Sequence, residues 1–345
     1  MSETPRPLVE LTRARIREFL REPEAVFWVF AFPVLMALAL GVAFRSERSQ
    51  ESVVGVLRGP GAADTVRILS AVPSVRVHEV APEEAAADLR NGRVSLLVVP
   101  GQPPVYRFDP ARPESRLARL VTDAALQRAA GRADAWQARE ETVVAPGSRY
   151  IDWLLPGLLG MNIMGTGLWS VGFSVVVART RKLLKRLMAT PMSRGAYLAS
   201  HLLGRLMFLV LEVAALLLFG RLAFGVRPAG SLLVVAALAL LGALAFSGLG
   251  LLVASRARTI EAVSGLMNVV MLPMWLLSGV FFASSHFPDV AQPFIQALPL
   301  TALNDALRAV MLEGKGLPAV AGESAILAAW GGISFVLAVK LFRWR

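Results

Sequence analysis

A polytopic α-helical membrane protein carrying one small α/β domain is the fold class this sequence predicts. Three observations lead there. Several apolar runs reach the roughly 20 residues that a helix needs to cross a bilayer. The segments joining most of them are short and basic. One long stretch, 45–149, breaks that pattern. The composition agrees, with 55% hydrophobic and 18% charged residues in a chain of 345, which overrides the two soluble domains that length alone suggests. The net charge of +11 sits largely beside the apolar runs. There it serves orientation and contact with anionic head groups rather than nucleic-acid binding. The chain has no cysteine, so disulfides, thiolate nucleophiles and zinc–cysteine sites are excluded.

The first 24 residues mix Arg13, Arg15, Arg17 and Arg21 with Leu8, Leu11, Ile16, Phe19 and Leu20. That pattern predicts an amphipathic elbow helix lying in the cytoplasmic interface; it is too charged for a cleavable leader. Arg21-Glu22-Pro23 turns the chain into a first span at 25–44. Pro33 inside that span is tolerable where a neighbouring helix satisfies the carbonyl it frees.

From 45 to 149 there are fifteen Arg, no Lys and thirteen acidic residues, in short periodic segments. Strands are expected at 53–57, 75–80, 94–99 and 105–108. Helices are expected at 62–71, at 82–91 with proline in the first turn, and at 112–141. Alternation on this scale predicts a compact α/β domain. A single span separates it from the cytoplasmic N-terminus, which places it on the outer side of the membrane.

Further spans are expected at 151–177, 199–219, 231–254, 262–282 and 319–339. The segment 284–318 is proline-broken, but Phe287, Val290, Phe294 and Leu298 keep an apolar stripe. It is expected to re-enter the outer interface as two short helices. Six spans with both termini inside satisfy the charge bias at every inner segment.

The most distinctive inner segment is 179–194, with six Lys/Arg and no acid. Leu183, Leu184, Leu187 and Met188 share one helical face, and Pro191 stops that helix. The segment either fixes topology alone or docks onto a cytoplasmic partner.

Catalytic chemistry is nearly absent. Gly314-Lys315 has no upstream glycine at phosphate-loop spacing, so this chain has no nucleotide site of that type. His78, His201 and His286 are far apart, and His78-Glu79 lacks a second histidine four residues on. No Gly-x-Ser-x-Gly occurs. Inside the third span, Arg205 lies near the cytoplasmic end, where it can snorkel. Glu212 is seven residues further on the same face, about 10 Å away. An acid at that depth must face protein or water, as a pathway residue or as a structural partner of Arg205 or another helix. Asn268 and Ser264 in the fifth span pose the same choice. Ala239, Ala243 and Ser247 form a close-packing face. Trp153, Trp169 and Trp275 read as interface anchors or packing.

Two stretches together resemble the permease subunits of ABC-2-type transporters, the type V exporter fold. Lys185-Arg-Leu-Met-Ala-Thr-Pro-Met-Ser-Arg194 is similar to that family's coupling-helix region. Pro273-Met-Trp-Leu-Leu-Ser-Gly-Val-Phe-Phe282, Phe287-Pro288 and Leu298-Pro-Leu-Thr-Ala-Leu-Asn-Asp-Ala-Leu-Arg308 resemble its fifth span, re-entrant outer helices and proline–threonine segment. Tyr150 to Gly157 agrees. Two departures stand out: Arg179-Thr-Arg-Lys182 is wholly basic where relatives often carry acids, and Leu298 replaces a frequent asparagine.

The resemblance implies a homodimer or heterodimer of permease subunits in a bacterial inner membrane, above separate ATP-binding-cassette ATPase subunits. No cofactor is expected in this chain; ATP and Mg would belong to the ATPase partner. Lys185, Arg186, Leu187, Thr190 and Pro191 would make the coupling contact. Glu212, Asn268 and Arg205 would lie on the substrate path. Export of a hydrophobic or amphipathic compound, drug-like or lipid, is implied. A proton-coupled secondary transporter with Glu212 as carrier, and a membrane sensor with a ligand-binding α/β domain, are the alternatives.

Overall fold

The computed structural model describes residues 17, 21–44, 51–134, 136, 138–139, 141, 147, 149–180, 194–257 and 259–341. Most of the expected elbow and residues 181–193 of the basic stretch lie outside them. The chain divides into two compact units: Ser46–Val143, and Met1–Arg45 together with Val144–Arg345.

The larger unit opens with α1 (Pro23–Val26), a π turn (Phe27–Ala31) and α2 (Phe32–Ala43), continuous with one another. Pro33 has no N–H to offer the carbonyl of Val29 four residues back. The helix widens into its π turn just before that proline.

The smaller unit contains β1 (Ser52–Leu57), α3 (Ala62–Ser70), β2 (Val75–Val80), α4 (Pro82–Arg90), β3 (Leu96–Val99), β4 (Val105–Arg107) and α5 (Pro113–Ala129). Its sheet order is β2-β1-β3-β4, with the first three strands parallel and β4 antiparallel to β3. Val54, Val56, Leu96 and Val98 form one core with Leu69 of α3 and Ala118 of α5. Leu57, Val80 and Leu97 form the opposite core with Ala85 of α4. Burial on both faces explains why β1 and β3 read as continuous apolar runs. α5 stops at Ala129, well short of the expected 141. Gly131 adopts φ +95°, and the Arg132 N–H returns to the Gln127 carbonyl at 3.0 Å. This is a glycine-terminated helix end.

The larger unit resumes with α6 (Tyr150–Thr180), α7 (Arg194–Phe224), α8 (Leu232–Arg256), α9 (Ile260–Leu277), α10 (Gln292–Gln296), α11 (Pro299–Met311) and α12 (Ala321–Leu341). Among the described residues, five stretches are long and apolar enough to cross a bilayer: Tyr150–Val177, Gly204–Phe224, Leu232–Arg256, Ile260–Leu277 and Leu317–Leu341. Phe27–Ala43 is a sixth, shorter apolar stretch. α6 opens with the Arg149 guanidinium gripping Asp152 at 2.7 and 3.0 Å. The side chains of Ser231 and Thr259 cap α8 and α9.

α8 is the hub, packed between α6 and α12. Ala239 and Ala243 are buried there as their spacing predicts, and glycines bring the backbones closer still. A Cβ on Gly250 would lie 2.6 Å from the Leu168 carbonyl oxygen, and one on Gly248 would lie 3.0 Å from that of Gly331.

Two short helices, α10 and α11, occupy much of the segment 284–318. Val290 and Phe294 are exposed, as an interfacial stripe would be. α11, however, packs against α6, α8 and α12 and buries nearly its whole length. Asn304 and Arg308 bond to neighbouring backbone while Leu300, Leu303, Leu307 and Val310 fill the core.

Candidate functional site

Two polar knots lie within the larger unit. The first joins α7, α6 and the π turn. Glu212 is 1% exposed and Arg205 8%, and their closest N–O distance is 2.5 Å. A second guanidinium N–H of Arg205 reaches Thr166 Oγ1 on α6 at 2.7 Å. Thr166 in turn lies 3.3 Å from Glu212 Oε1 and donates to the Asn162 carbonyl at 2.8 Å. The Asn162 amide donates to Glu212 Oε2 at 3.2 Å and to the Val29 carbonyl at 3.1 Å. The carbonyl that Pro33 frees is therefore taken by a neighbouring helix, as its place in an apolar span requires.

This geometry corrects the snorkelling expectation for Arg205. Its guanidinium turns along its own helix to Glu212, because an acid one face-length away offers a charge-assisted bond without leaving the apolar layer. The ion pair is tolerable only because both carboxylate oxygens and two guanidinium nitrogens have partners. Asn162 and Thr166 were not singled out from the sequence. Two polar side chains at i, i+4 inside an otherwise apolar helix were the available signal.

The second knot ties α11 to α6 and to the end of α9. The Arg308 side chain is 12% exposed and lies 3.9 Å over the Trp153 ring. It donates to the Gly279 carbonyl and, at 3.4 Å, to that of Trp153. Asp305 stands 3.6 Å away. One turn earlier, Asn304 donates to the Ser278 carbonyl at 2.9 Å. Gly279 takes φ +68°, so the chain leaving α9 turns directly under the guanidinium. Gly160 leaves room for Asn304, whose Oδ1 would stand 2.0 Å from a Cβ there. Trp153 is thus a cation–π partner rather than a plain interface anchor. Trp169 also packs inward, its indole N–H 3.2 Å from Met271 Sδ. Arg308 and Asn304 were quoted in the sequence only as part of a motif. Their i, i+4 spacing could have marked them.

The remaining candidates are dispersed. Asn268 is exposed on α9 beside exposed Leu266, Val269 and Leu272, and is not joined to either knot. Ser264 returns its hydroxyl to the Ile260 carbonyl at 2.8 Å. Lys185, Arg186, Leu187, Thr190 and Pro191 lie outside the described residues. At the edge of that stretch, Arg179 donates to the carbonyls of Ala254 (3.3 Å) and Ala257 (2.9 Å), bracing the end of α6 against the end of α8. Among the described residues no three His, Cys, Asp or Glu side chains gather as metal ligands would. Neither knot offers an activated nucleophile or a proton-transfer pair open to a substrate. Both are joints between helices.

Comparison with known proteins places these joints in context. A family model described as ABC-2 type transporter matches residues 117–312. ABC transporter G family member 20 of Dictyostelium discoideum is 29% identical over 174 residues, which is 50% of this chain and 24% of that protein. Nodulation protein J of Bradyrhizobium diazoefficiens is 34% identical over 102 residues, 30% of this chain and 38% of the relative. Inner membrane transport permease YadH of Escherichia coli K12 is 25% identical over 201 residues, 57% of this chain and 75% of the relative. The matches thus cover about a quarter and two fifths of the first two relatives' own lengths. With more than half of its residues inside the family match, the chain belongs to the ABC-2 type transporter family.

Proposed function

We propose that this chain is the membrane subunit of an ATP-binding-cassette exporter, driven by separate ATPase subunits and paired with a second permease subunit. The family match over 117–312 carries the reading. No phosphate loop occurs in this sequence, and hydrolysis is assigned to the ATPase subunits. Both termini and the stretch 179–194 lie in the cytoplasm, and the α/β unit lies outside. Lys185, Arg186, Leu187, Thr190 and Pro191 receive the ATPase's motion. Arg179, which ties α6 to α8 at the edge of that stretch, passes the motion to two helices at once, and rigid transmission opens the path outward.

The exposed face of α9, with Asn268 among Leu266, Val269 and Leu272, faces the second subunit and the cargo. An amide turned to lipid would be left without partners, whereas at a dimer seam it is wetted or bonded. The apolar residues around it favour a hydrophobic or amphipathic cargo, drug-like or lipid. Glu212 is held by Arg205, Thr166 and Asn162. A proton carrier must meet water on alternate sides, so this burial speaks against a proton-coupled mechanism and for a structural joint beside the path.

Charge reversal at Lys185 and Arg186 tests the reading. The variant should insert and fold normally, and ATP hydrolysis by the assembly should no longer drive transport. Undiminished transport would overturn the coupling role.

A further inference from the structure

α9 repeats a problem that α2 has solved. Pro33 leaves the carbonyl of Val29 open, and the Asn162 amide of α6 takes it at 3.1 Å. Pro273 lies inside α9 and likewise has no N–H for the carbonyl four residues back, that of Val269. Among the described residues no side chain donates to that carbonyl, and the Asn268 amide beside it has no partner. Both residues are exposed, near the middle of the span Ile260–Leu277.

An open amide and an open carbonyl are costly in hydrocarbon, so lipid is a poor cover for this face. Water is a poor cover too, because Leu266, Leu272 and Leu276 around the pair are exposed and apolar. The cover that fits is a helix with its own donor and acceptor at the same depth. α9 itself has that pattern. Successive helical residues turn by about 100°, so Gly265, Leu272 and Leu276 run along the middle of the exposed face, with Asn268 on one flank and Val269 on the other. Two copies of the chain insert the same way, since both carry the same charge bias, and their α9 helices pair parallel. About a two-fold axis along the membrane normal, each flank then meets the opposite flank of its copy at the same depth. That is the self-complementarity a two-fold interface requires. A Cβ on Gly265 would meet nothing within 4 Å, which leaves room for the close approach of a second backbone.

We propose that the exposed face of α9 closes on its own copy, each Asn268 amide donating to the carbonyl that Pro273 leaves open on the facing helix. This contact rests on the paired assembly proposed above and fixes its register. The chain has no cysteine, so single thiols can be introduced into the full-length protein. Positions near a two-fold axis approach their own copies within disulfide reach, about 4.4–6.8 Å between Cα atoms.

Mild oxidation in liposomes should therefore convert most Gly265→Cys and Leu272→Cys chains to covalent dimers. Leu266→Cys, turned away from the middle of the face, should stay monomeric. Pairing is read independently, from energy transfer between chains labelled at Arg67→Cys in the smaller unit. On dilution into lipid, Asn268→Leu and Pro273→Ala should each weaken pairing roughly tenfold, the expected effect of losing two interhelical hydrogen bonds. One removes the donor and the other returns an N–H to the acceptor, so the double variant should pair no more weakly than either single one. Energy transfer without cross-linking at 265 or 272 above that at 266 overturns the α9 contact and leaves the paired assembly standing. No energy transfer overturns both. Cross-linked chains whose pairing Asn268→Leu leaves unchanged, or whose losses add in the double variant, overturn the reciprocal bond. Labelling of Asn268→Cys in the paired chain by a membrane-impermeant thiol reagent means that water covers the face, and overturns the proposal as well.

Discussion

The two knots of the larger unit each hold a buried arginine, by opposite means. Arg205 meets a carboxylate at 2.5 Å and shares that acid with Thr166 and Asn162. Arg308 meets backbone carbonyls and an indole face, with its nearest acid at 3.6 Å. The first knot balances charge against charge across two helices and the turn before Pro33. The second places a charge on the Gly279 carbonyl, just past the C-terminal end of α9 where helix termination leaves carbonyls open, and on the Trp153 carbonyl in the first turn of α6. They should therefore break differently: removing one partner of the first strands a charge, whereas removing the arginine of the second strands only carbonyls.

The largest expected effect follows from that contrast. Glu212→Leu leaves Arg205 buried without a counter-charge and should destabilise the unit by about 3–5 kcal/mol. Combining it with Arg205→Met should recover most of that loss, because a volume-matched apolar pair is often neutral. Thermal unfolding of the single and double variants in detergent checks this. If the double variant is as damaged as the single, the knot is not a closed ion pair.

Arg308→Lys sharpens the other side. It keeps the charge and loses the planar fork and the stacking on Trp153. A loss of about 1.5–3 kcal/mol is expected, the range for hydrogen bonds to charged groups. A Lys variant as stable as the parent would show that charge alone suffices there.

Asn162→Leu comes next. It frees the Val29 carbonyl and one oxygen of Glu212, for about 1 kcal/mol, and hydrogen exchange at the amides around Pro33 should speed up. The smallest effect lies in the α/β unit. Tyr106 donates its hydroxyl to Asp123 at 3.1 Å. Burial, then that hydrogen bond and the carboxylate's charge, push the phenol up to about 12 from 10.0. A folded-state value above the unfolded one means that this stabilisation is complete below pH 10 and is lost as pH rises through about 12. Tyr106→Phe should cost about 1 kcal/mol at neutral pH and flatten the alkaline decline of the unit's far-ultraviolet circular dichroism.

What could be read from the sequence divides along the same line. The need to satisfy the carbonyl behind Pro33 was legible, because a proline inside an apolar helix states it locally. The identity of the donor was not, since Asn162 lies 133 positions away. The common face of Arg205 and Glu212 followed from a spacing of seven. The direction in which Arg205 turns depended on Thr166 of another helix. The glycine end of α5 was present as Gly131, but the polar run beyond it masked the stop. The anchoring of α11 was not legible, because Asn304 and Arg308 bond to carbonyls that only the assembled helices bring near.

Reconstitution into liposomes tests the central claim most directly. With this chain alone, no nucleotide hydrolysis and no substrate movement are expected, with or without a proton gradient. Adding its cognate ATPase subunit should give a stable assembly and transport that stops when ATP is withheld. Full transport by the chain alone, driven by a proton gradient, would contradict the account.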